Sequence, residues 1–248
     1  MSASAIQTEG LSKSFGGLHA VVKVSLTIAP GERRVLIGPN GAGKTTLFHC
    51  ISGTHRPTSG RVLLFGQDIS NIAENRRTAL GMGRTFQISN ICTDLSVREN
   101  LRLAALGNDR RKWVITRAAG SFPDIASLVE QSLQKIGLAE RADDEVKFLS
   151  YGERRQLELA LALISDPKVL LLDEPCAGLS PSERQSFSRI ISALPRNITL
   201  LMIEHDIDIA LALADRVTVL HRGHVILDGT PGEVQQDEQV REVYFGRV

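Results

Sequence analysis

Gly38-Pro39-Asn40-Gly41-Ala42-Gly43-Lys44-Thr45-Thr46 separates two apolar segments, Val35-Leu36-Ile37 before it and Leu47-Phe48-His49-Cys50-Ile51 after it. The first reads as a buried strand and the second as the start of a helix. A strand, GxxxxGK[ST] and a helix, in that order, are the context of a phosphate-binding loop. Gly38, Gly41 and Gly43 let the backbone close around phosphates, because no Cβ intervenes. Pro39, Asn40 and Ala42 complete the loop, and Thr46 continues it into the helix. Its successive N–H groups and the helix N-terminus should face the anion. Lys44 should reach the β- and γ-phosphates, and the Thr45 hydroxyl should ligate Mg²⁺. A Gly-rich turn with a surface lysine is the alternative, disfavoured by the full spacing and by both flanks.

The chain has 248 residues, of which 42% are hydrophobic and 23% charged. That is ordinary for a soluble globular chain of one large domain or two small ones. A net charge of +1 gives no field that favours nucleic acid or an anionic membrane. Cys50, Cys92 and Cys176 lie far apart and form no CxxC pair, which fits a reduced compartment better than a disulfide framework. Met1 to Phe15 shows no apolar core of a signal peptide. No run approaches the ~20 apolar residues that span a bilayer, so a membrane role would need a partner.

Ile6 to Phe15 reads as a strand. Val22, Val24, Leu26 and Ile28 alternate as one face of a second. Pro30-Gly31-Glu32 turns the chain into Arg33 to Ile37, and Arg61 to Phe65 follows as a further strand. These segments predict a small antiparallel β layer beside a nucleotide-binding core. Val97 to Leu106 and Asp124 to Ile136 have helical spacing, with Leu128, Leu133 and Ile136 on the apolar face of the second. Residues 88–148 therefore read as a helical subdomain inserted between core segments 1–87 and 149–248. Within the insert, Arg110-Arg111-Lys112-Trp113 reads first as a solvated face. Beyond it, helices over Glu153–Ile164, Ser182–Leu194 and Ile207–Ala214 alternate with strands over Val169–Leu172, Ile198–Ile203 and Arg216–His221. His224 to Leu227 is the hairpin partner of the last strand. The alternation predicts an α/β fold with a mostly parallel sheet, the phosphate-loop NTPase class.

Leu170-Leu171-Leu172-Asp173-Glu174 is an apolar strand that ends in two carboxylates. Ligands of open α/β sheets bind at such strand ends. Asp173 should hold Mg²⁺, directly or through water, and Glu174 is placed to orient or deprotonate an attacking water. Three more stretches follow a recognisable order: Thr85-Phe86-Gln87, then Leu149-Ser150-Tyr151-Gly152-Glu153, then Met202-Ile203-Glu204-His205-Asp206.

With these residues the chain resembles the ATP-binding-cassette (ABC) ATPases over nearly its whole length, and the LSxG signature sets it apart from other phosphate-loop NTPases. The resemblance implies ATP and Mg²⁺ as ligands and roles for matching positions. Phe15 corresponds to the aromatic that stacks on adenine, with a core phenylalanine as the alternative. Gln87 corresponds to the glutamine that contacts Mg²⁺ and the attacking water. Asp173 and Glu174 match the Walker B pair, and His205 the switch histidine on the γ-phosphate. Ser150 and Gly152 would face the γ-phosphate of a second chain. Tyr151 and Glu153 depart from the common signature, and Ser180 replaces the usual aspartate of the D-loop.

Phe15-Gly16-Gly17-Leu18-His19-Ala20-Val21, Arg84-Thr85-Phe86-Gln87 and Tyr244-Phe245-Gly246 further resemble ATPase subunits of bacterial branched-chain amino-acid uptake systems. That implies a peripheral subunit on the cytoplasmic face of the bacterial inner membrane. It implies membrane permeases, a second ATPase subunit (like or unlike this one) and, indirectly, a periplasmic or extracellular substrate-binding protein as partners, and no nucleic acid. Residues 88–106 would help receive the permease. Urea or amide importers and lipopolysaccharide-type exporters share the cassette, and a soluble non-transport ABC ATPase is a further alternative. A GTPase is excluded by the lack of an NKxD motif.

Overall fold

Parallel strands buried on both faces need continuous apolar runs, and the chain supplies them at β3 (Arg33–Ile37), β7 (Val169–Asp173) and β8 (Thr199–Ile203), all buried throughout. The computed structural model describes residues 4–85, 91–107 and 122–245. Its chain divides into two compact units. One spans Met1–Arg84, Lys168–Pro175 and Leu194–Val248, and the other Thr85–Pro167 and Cys176–Ala193.

The first unit holds two sheets among the described residues. A four-stranded antiparallel sheet is built from β1 (Ile6–Phe15), β2 (Leu18–Ile28), β4 (Ser59–Leu64) and β5 (Gln67–Asp68), in the order β2-β1-β4-β5. A six-stranded sheet adds β6 (Met82–Arg84), β9 (Arg216–His221) and β10 (His224–Gly229), in the order β10-β9-β3-β8-β7-β6. Its pairs are parallel except β9 with β10. Register aligns Val35 with Met202 and with Val217, and Asp173 with Ile203. The carboxyl ends of β3, β7 and β8 therefore share one edge, where the phosphate loop, Glu174 and His205 follow. β6 has three residues, one of them glycine, and gives no apolar run to read.

The alternation expected over β2 holds for Val24, Leu26 and Ile28, but Val21 and not Val22 is buried. Lys23 has φ 47° and the pairing steps from Leu11–Val24 to Lys13–Val21. This irregularity reverses the facing of the residues before it. Val22 N–H instead donates to the Gly223 carbonyl at 2.9 Å.

Helix α1 (Lys44–Ser52) starts at the lysine, three residues before the apolar run, with left-handed Gly43 and Gly53 at its ends. Arg77, 1% exposed on the short helix α2 (Glu74–Arg77), fastens its C-terminus. Its guanidinium donates to the carbonyls of Cys50 (3.2 Å), Ile51 (2.5 Å), Ile69 (2.7 Å) and Ile72 (2.8 Å). Burial pulls its pKa down to about 10, against the attraction of Cys50, Glu74 and Asp68.

The second unit packs α3 (Val97–Gly107), α4 (Pro123–Ile136), α5 (Tyr151–Leu163) and α6 (Pro181–Ser192). Val97, Leu101, Val129, Leu133, Val146 and Leu157 lie in its core. The buried stripe of α4 is Ile125, Val129, Leu133 and Ile136. Leu128, expected on that face, is 38% exposed, because at 3.6 residues per turn it sits ~100° from Val129. Arg110 to Trp113 lie outside the described residues. Helices α7 (Ile207–Leu213), α8 (Pro231–Gln236) and α9 (Glu238–Phe245) return to the first unit. No described helix is long and apolar enough to cross a membrane.

Replacing Arg77 by leucine removes a donor from four carbonyls at once. At about 1–3 kcal/mol per unmet buried group, Arg77→Leu should cost about 3 kcal/mol or more in urea unfolding. Lysine should not restore it, since one ammonium cannot span that fork. A loss below about 1 kcal/mol would remove Arg77 from this role.

Candidate functional site

The phosphate loop forms the floor of a cleft of about 490 Å³ in the first unit, lined by residues 40–46 with Leu18, His19, Ala20, Glu174, His205 and Arg222. Two glycines are dictated by close approach. A Cβ on Gly38 (φ 147°) would run into the Leu220 carbonyl, and one on Gly43 (φ 100°) into that of Ala20. Lys44 is buried, and its Nζ donates to the carbonyls of Gly38 (2.6 Å) and Pro39 (3.1 Å). Burial lowers its pKa, and the Glu174 carboxylate acts in the opposite sense.

Asp173 closes β7 with a fully buried carboxylate, its Oδ2 3.9 Å from His49 Nε2 and 4.0 Å from an Arg84 terminal nitrogen. Burial first, then Arg84 and His55, push the His49 pKa down to about 4, with Glu74 acting in the opposite sense. Near neutrality His49 is therefore uncharged, and the cation beside Asp173 is Arg84. Arg84 also donates to Ser52, Thr54 and Glu74. Glu174 takes a left-handed backbone, φ 47°, of the kind that non-glycine residues keep at functional sites at a cost of about 1–3 kcal/mol. Its N–H donates to the Ile203 carbonyl at 3.1 Å. Its Oε1 lies 2.6 Å from His205 Nε2, so the two side chains expected to act on the γ-phosphate meet directly.

Thr45 and Asp173 offer hard oxygen donors, and no group of three or more His, Cys, Asp or Glu side chains forms a metal cage among the described residues. That donor set fits Mg²⁺, which keeps waters and takes further oxygens from substrate phosphates. Gln87 lies outside the described residues. Phe15 is 44% exposed, so it is not a core residue. It does not line the cleft, and its ring meets His55 at 5.4 Å and Lys13 Nζ at 4.8 Å.

The signature belongs to the second unit and has a pocket of its own, of about 200 Å³, lined by Ser150, Gly152, Glu153 and residues of α6. Ser150 caps α5: its hydroxyl accepts from Glu153 N–H at 3.2 Å, and its N–H donates to the Glu153 carboxylate at 2.7 Å. Ser180 and Glu183 repeat the same capping box on α6, and Thr230 and Glu233 on α8. S/T-x-x-E was readable at all three places and would have explained Glu153 and Ser180 in advance. The Glu183 carboxyl is held below its usual range by the Ser180 hydroxyl, then by the Ser180 and Gly152 amides. A Cβ on Gly152 would lie 2.5 Å from Glu183 Oε1. Tyr151 donates its hydroxyl to the Ala177 carbonyl at 3.2 Å and accepts from Arg155 at 2.8 Å. Leu18 and His19 line the cleft from the stretch of residues 15–21, and Arg222 lines it without belonging to any motif read in the sequence.

A phosphate loop, a strand ending in Asp-Glu and a paired histidine on one sheet edge define a phosphate-loop ATPase. The ABC transporter family profile matches residues 21–177, and the chain belongs to that family. A profile described as branched-chain amino acid ATP-binding cassette transporter matches residues 224–248. The chain is 36% identical to the high-affinity branched-chain amino acid transport ATP-binding protein LivG of Escherichia coli K12, over 99% of both chains. It is 35% identical to the lipopolysaccharide export system ATP-binding protein LptB of Haemophilus influenzae, over 98% of both. The solved ADP conformation of MJ1267, an ATP-binding cassette of an ABC transporter, superposes with a TM-score of 0.86 at 29% identity over all of both chains. These matches bear out the resemblance drawn from the motifs, the fold and the ATPase class.

Asn and Ser cap helices about equally, and alanine in place of either costs about 1 kcal/mol. Ser180→Asn, which adds no second carboxylate beside Glu183, should therefore unfold within about 0.5 kcal/mol of wild type, and Ser180→Ala about 1 kcal/mol below it. Equal losses in thermal or urea unfolding would show that Ser180 is not a cap.

Proposed function

We propose that this chain is the ATP-binding subunit of an importer for branched-chain amino acids, and that hydrolysis in the described cleft drives a membrane permease. The observation that carries the solute class is the match of residues 224–248, joined to the end-to-end similarity to LivG. An exporter cassette is the second reading, on the similarity to LptB; the C-terminal match favours import. The subunit sits peripherally on the cytoplasmic face of the membrane. It pairs with a second ATPase subunit and meets permeases through residues around 88–106, and a solute-binding protein outside the membrane delivers the cargo.

In this reading the N–H groups of residues 40–46 wrap the nucleotide phosphates. Lys44 exchanges its bonds to loop carbonyls for the β- and γ-phosphates. Thr45, Asp173 and Gln87 would hold Mg²⁺, which supplies charge neutralisation when bound. Glu174 accepts the proton of the attacking water. His205, bonded to Glu174, orients that carboxylate and contacts the γ-phosphate. Phe15 lies outside the cleft but pairs with Leu18 at its rim, and it would stack on an adenine that extends past the phosphates. Ser150 and Gly152 of the second ATPase subunit close the site, a hydroxyl and amides at a helix N-terminus being good anion ligands.

Glu174→Gln keeps the size of the side chain and loses its basicity. In the assembled transporter it should retain Mg·ATP and lower turnover by about 100-fold or more. Turnover equal to wild type would reject Glu174 as the base.

The composite site is tested by mixing two lesions. Gly152→Asp is a poor choice, because Glu183 occupies that space in the same chain. Ser150→Asp keeps an N-cap acceptor and sets a carboxylate against the γ-phosphate. Alone it should abolish hydrolysis and spare ATP binding by the isolated chain. Mixed with Lys44→Ala chains, a like pair should regain partial activity, since one site then carries both lesions and the other none. Lost ATP binding in isolated Ser150→Asp chains would show the composite reading to be wrong.

A further inference from the structure

Arg222 and Gly223 form the two-residue turn between β9 and β10, with left-handed φ of 48° and 82°. Turns with both central residues left-handed favour Asn-Gly, Asp-Gly or Gly-Gly, because a side chain with a Cβ crowds the following carbonyl there. A long arginine at the first position pays a conformational cost that asparagine or glycine would lower. The turn is held rigidly. Gly223 N–H donates to the Ala42 carbonyl of the phosphate loop at 2.9 Å, and the Gly223 carbonyl accepts from Val22 N–H at 2.9 Å. Arg222 is exposed and lines the same cleft as Lys44, Thr45 and Glu174. Among the described residues its guanidinium has no hydrogen-bond, ion-pair or ring partner. The Lys44 ammonium, by contrast, is bonded to its own loop.

A turn bonded to the phosphate loop and a cation with no described partner beside that loop coincide at one residue. We infer that Arg222 is a binding residue for the phosphate groups of the nucleotide in this cleft. The inference rests on the nucleotide reading of the cleft and adds a contact outside the phosphate loop and the strand-end carboxylates. A guanidinium presents a planar fork of donors suited to phosphate oxygens. A solvated turn residue is the plain alternative; Phe65-Gly66 holds the same two left-handed states (φ 49° and 81°) away from this cleft, so it is the place of Arg222 in the cleft, not its backbone, that sets it apart.

The test uses the full chain with Mg²⁺ and displacement of a fluorescent nucleotide by ATP, ADP and adenosine. Arg222→Gly suits a φ of 48° and keeps the hairpin, checked by circular dichroism. It should weaken ATP and ADP by about tenfold, the scale of one charge-assisted hydrogen bond, and leave adenosine unchanged. Arg222→Lys should recover most of the loss, and added salt should narrow the gap between wild type and Arg222→Gly. ATP and ADP affinities equal to wild type in Arg222→Gly overturn the inference, as does an equal loss for adenosine. Lys44→Ala is measured alongside. If it too leaves ATP affinity unchanged, the reading of the cleft fails first, which separates that failure from the failure of Arg222.

Discussion

The backbone of the phosphate loop runs so close to two neighbouring strands that a Cβ at Gly38 or Gly43 would strike a carbonyl, that of Leu220 on β9 or Ala20 on β2. The loop is thereby wedged between an inner strand of the parallel sheet and the end of the antiparallel hairpin. Its conformation follows from strand order. β9 and β8 flank β3, and β7 lies beyond β8, so every strand that feeds the cleft releases its chain at the same edge. Lys44 then has little freedom. Its stem is buried and its ammonium is held by two carbonyls of its own loop, an arrangement that fixes the cation before any anion enters.

Two buried arginines carry this constraint outward. Arg34 on β3 is 1% exposed and bonds Glu32, Thr218, Asp228 and the Thr27 carbonyl. It thus joins the central strand to β9, to β10 at the sheet edge and to β2. Arg77 does the same for the C-terminus of α1. Buried charges carry a desolvation penalty that can match their attraction, and apolar side chains could have filled these places. What apolar groups could not do is satisfy carbonyls at a helix end. With Gly43 fixing one end of α1 and Arg77 the other, the helix that carries Lys44 and Thr45 cannot slide along the sheet.

The parts of this arrangement legible in the sequence are those with a period or a motif. β3, β7 and β8 announced themselves as continuous apolar runs, and the phosphate loop by spacing. What stayed hidden has a physical reason in each case. β6 is three residues long and has no pattern. Val21 took the place of Val22 because Lys23 adopts a left-handed backbone, which no alternation rule anticipates. Leu128 lies one step off the stripe that Ile125 and Val129 define. The pairing of Glu174 with His205 depends on β7 and β8 being neighbours, a fact of strand order and not of sequence distance. Arg222 carries no signal in the sequence, since only the fold brings its turn to the phosphate loop.

The altered signature shows what its departures from the common motif do inside this chain. Glu153 replaces glutamine, and it closes a capping box that orients Ser150 at the N-terminus of α5. Ser180 replaces aspartate and builds the same device on α6. Tyr151 replaces glycine, and its side chain engages the Ala177 carbonyl and Arg155, while a Cβ on Gly178 would crowd its ring at 3.1 Å. The first signature glycine can therefore be exchanged for a side chain that braces the segment leading into α6. At the second, a Cβ on Gly152 would require the Glu183 side chain, which closes the capping box of α6, to shift. Of the two glycine positions, the one that changed is the one whose side chain has somewhere to lie.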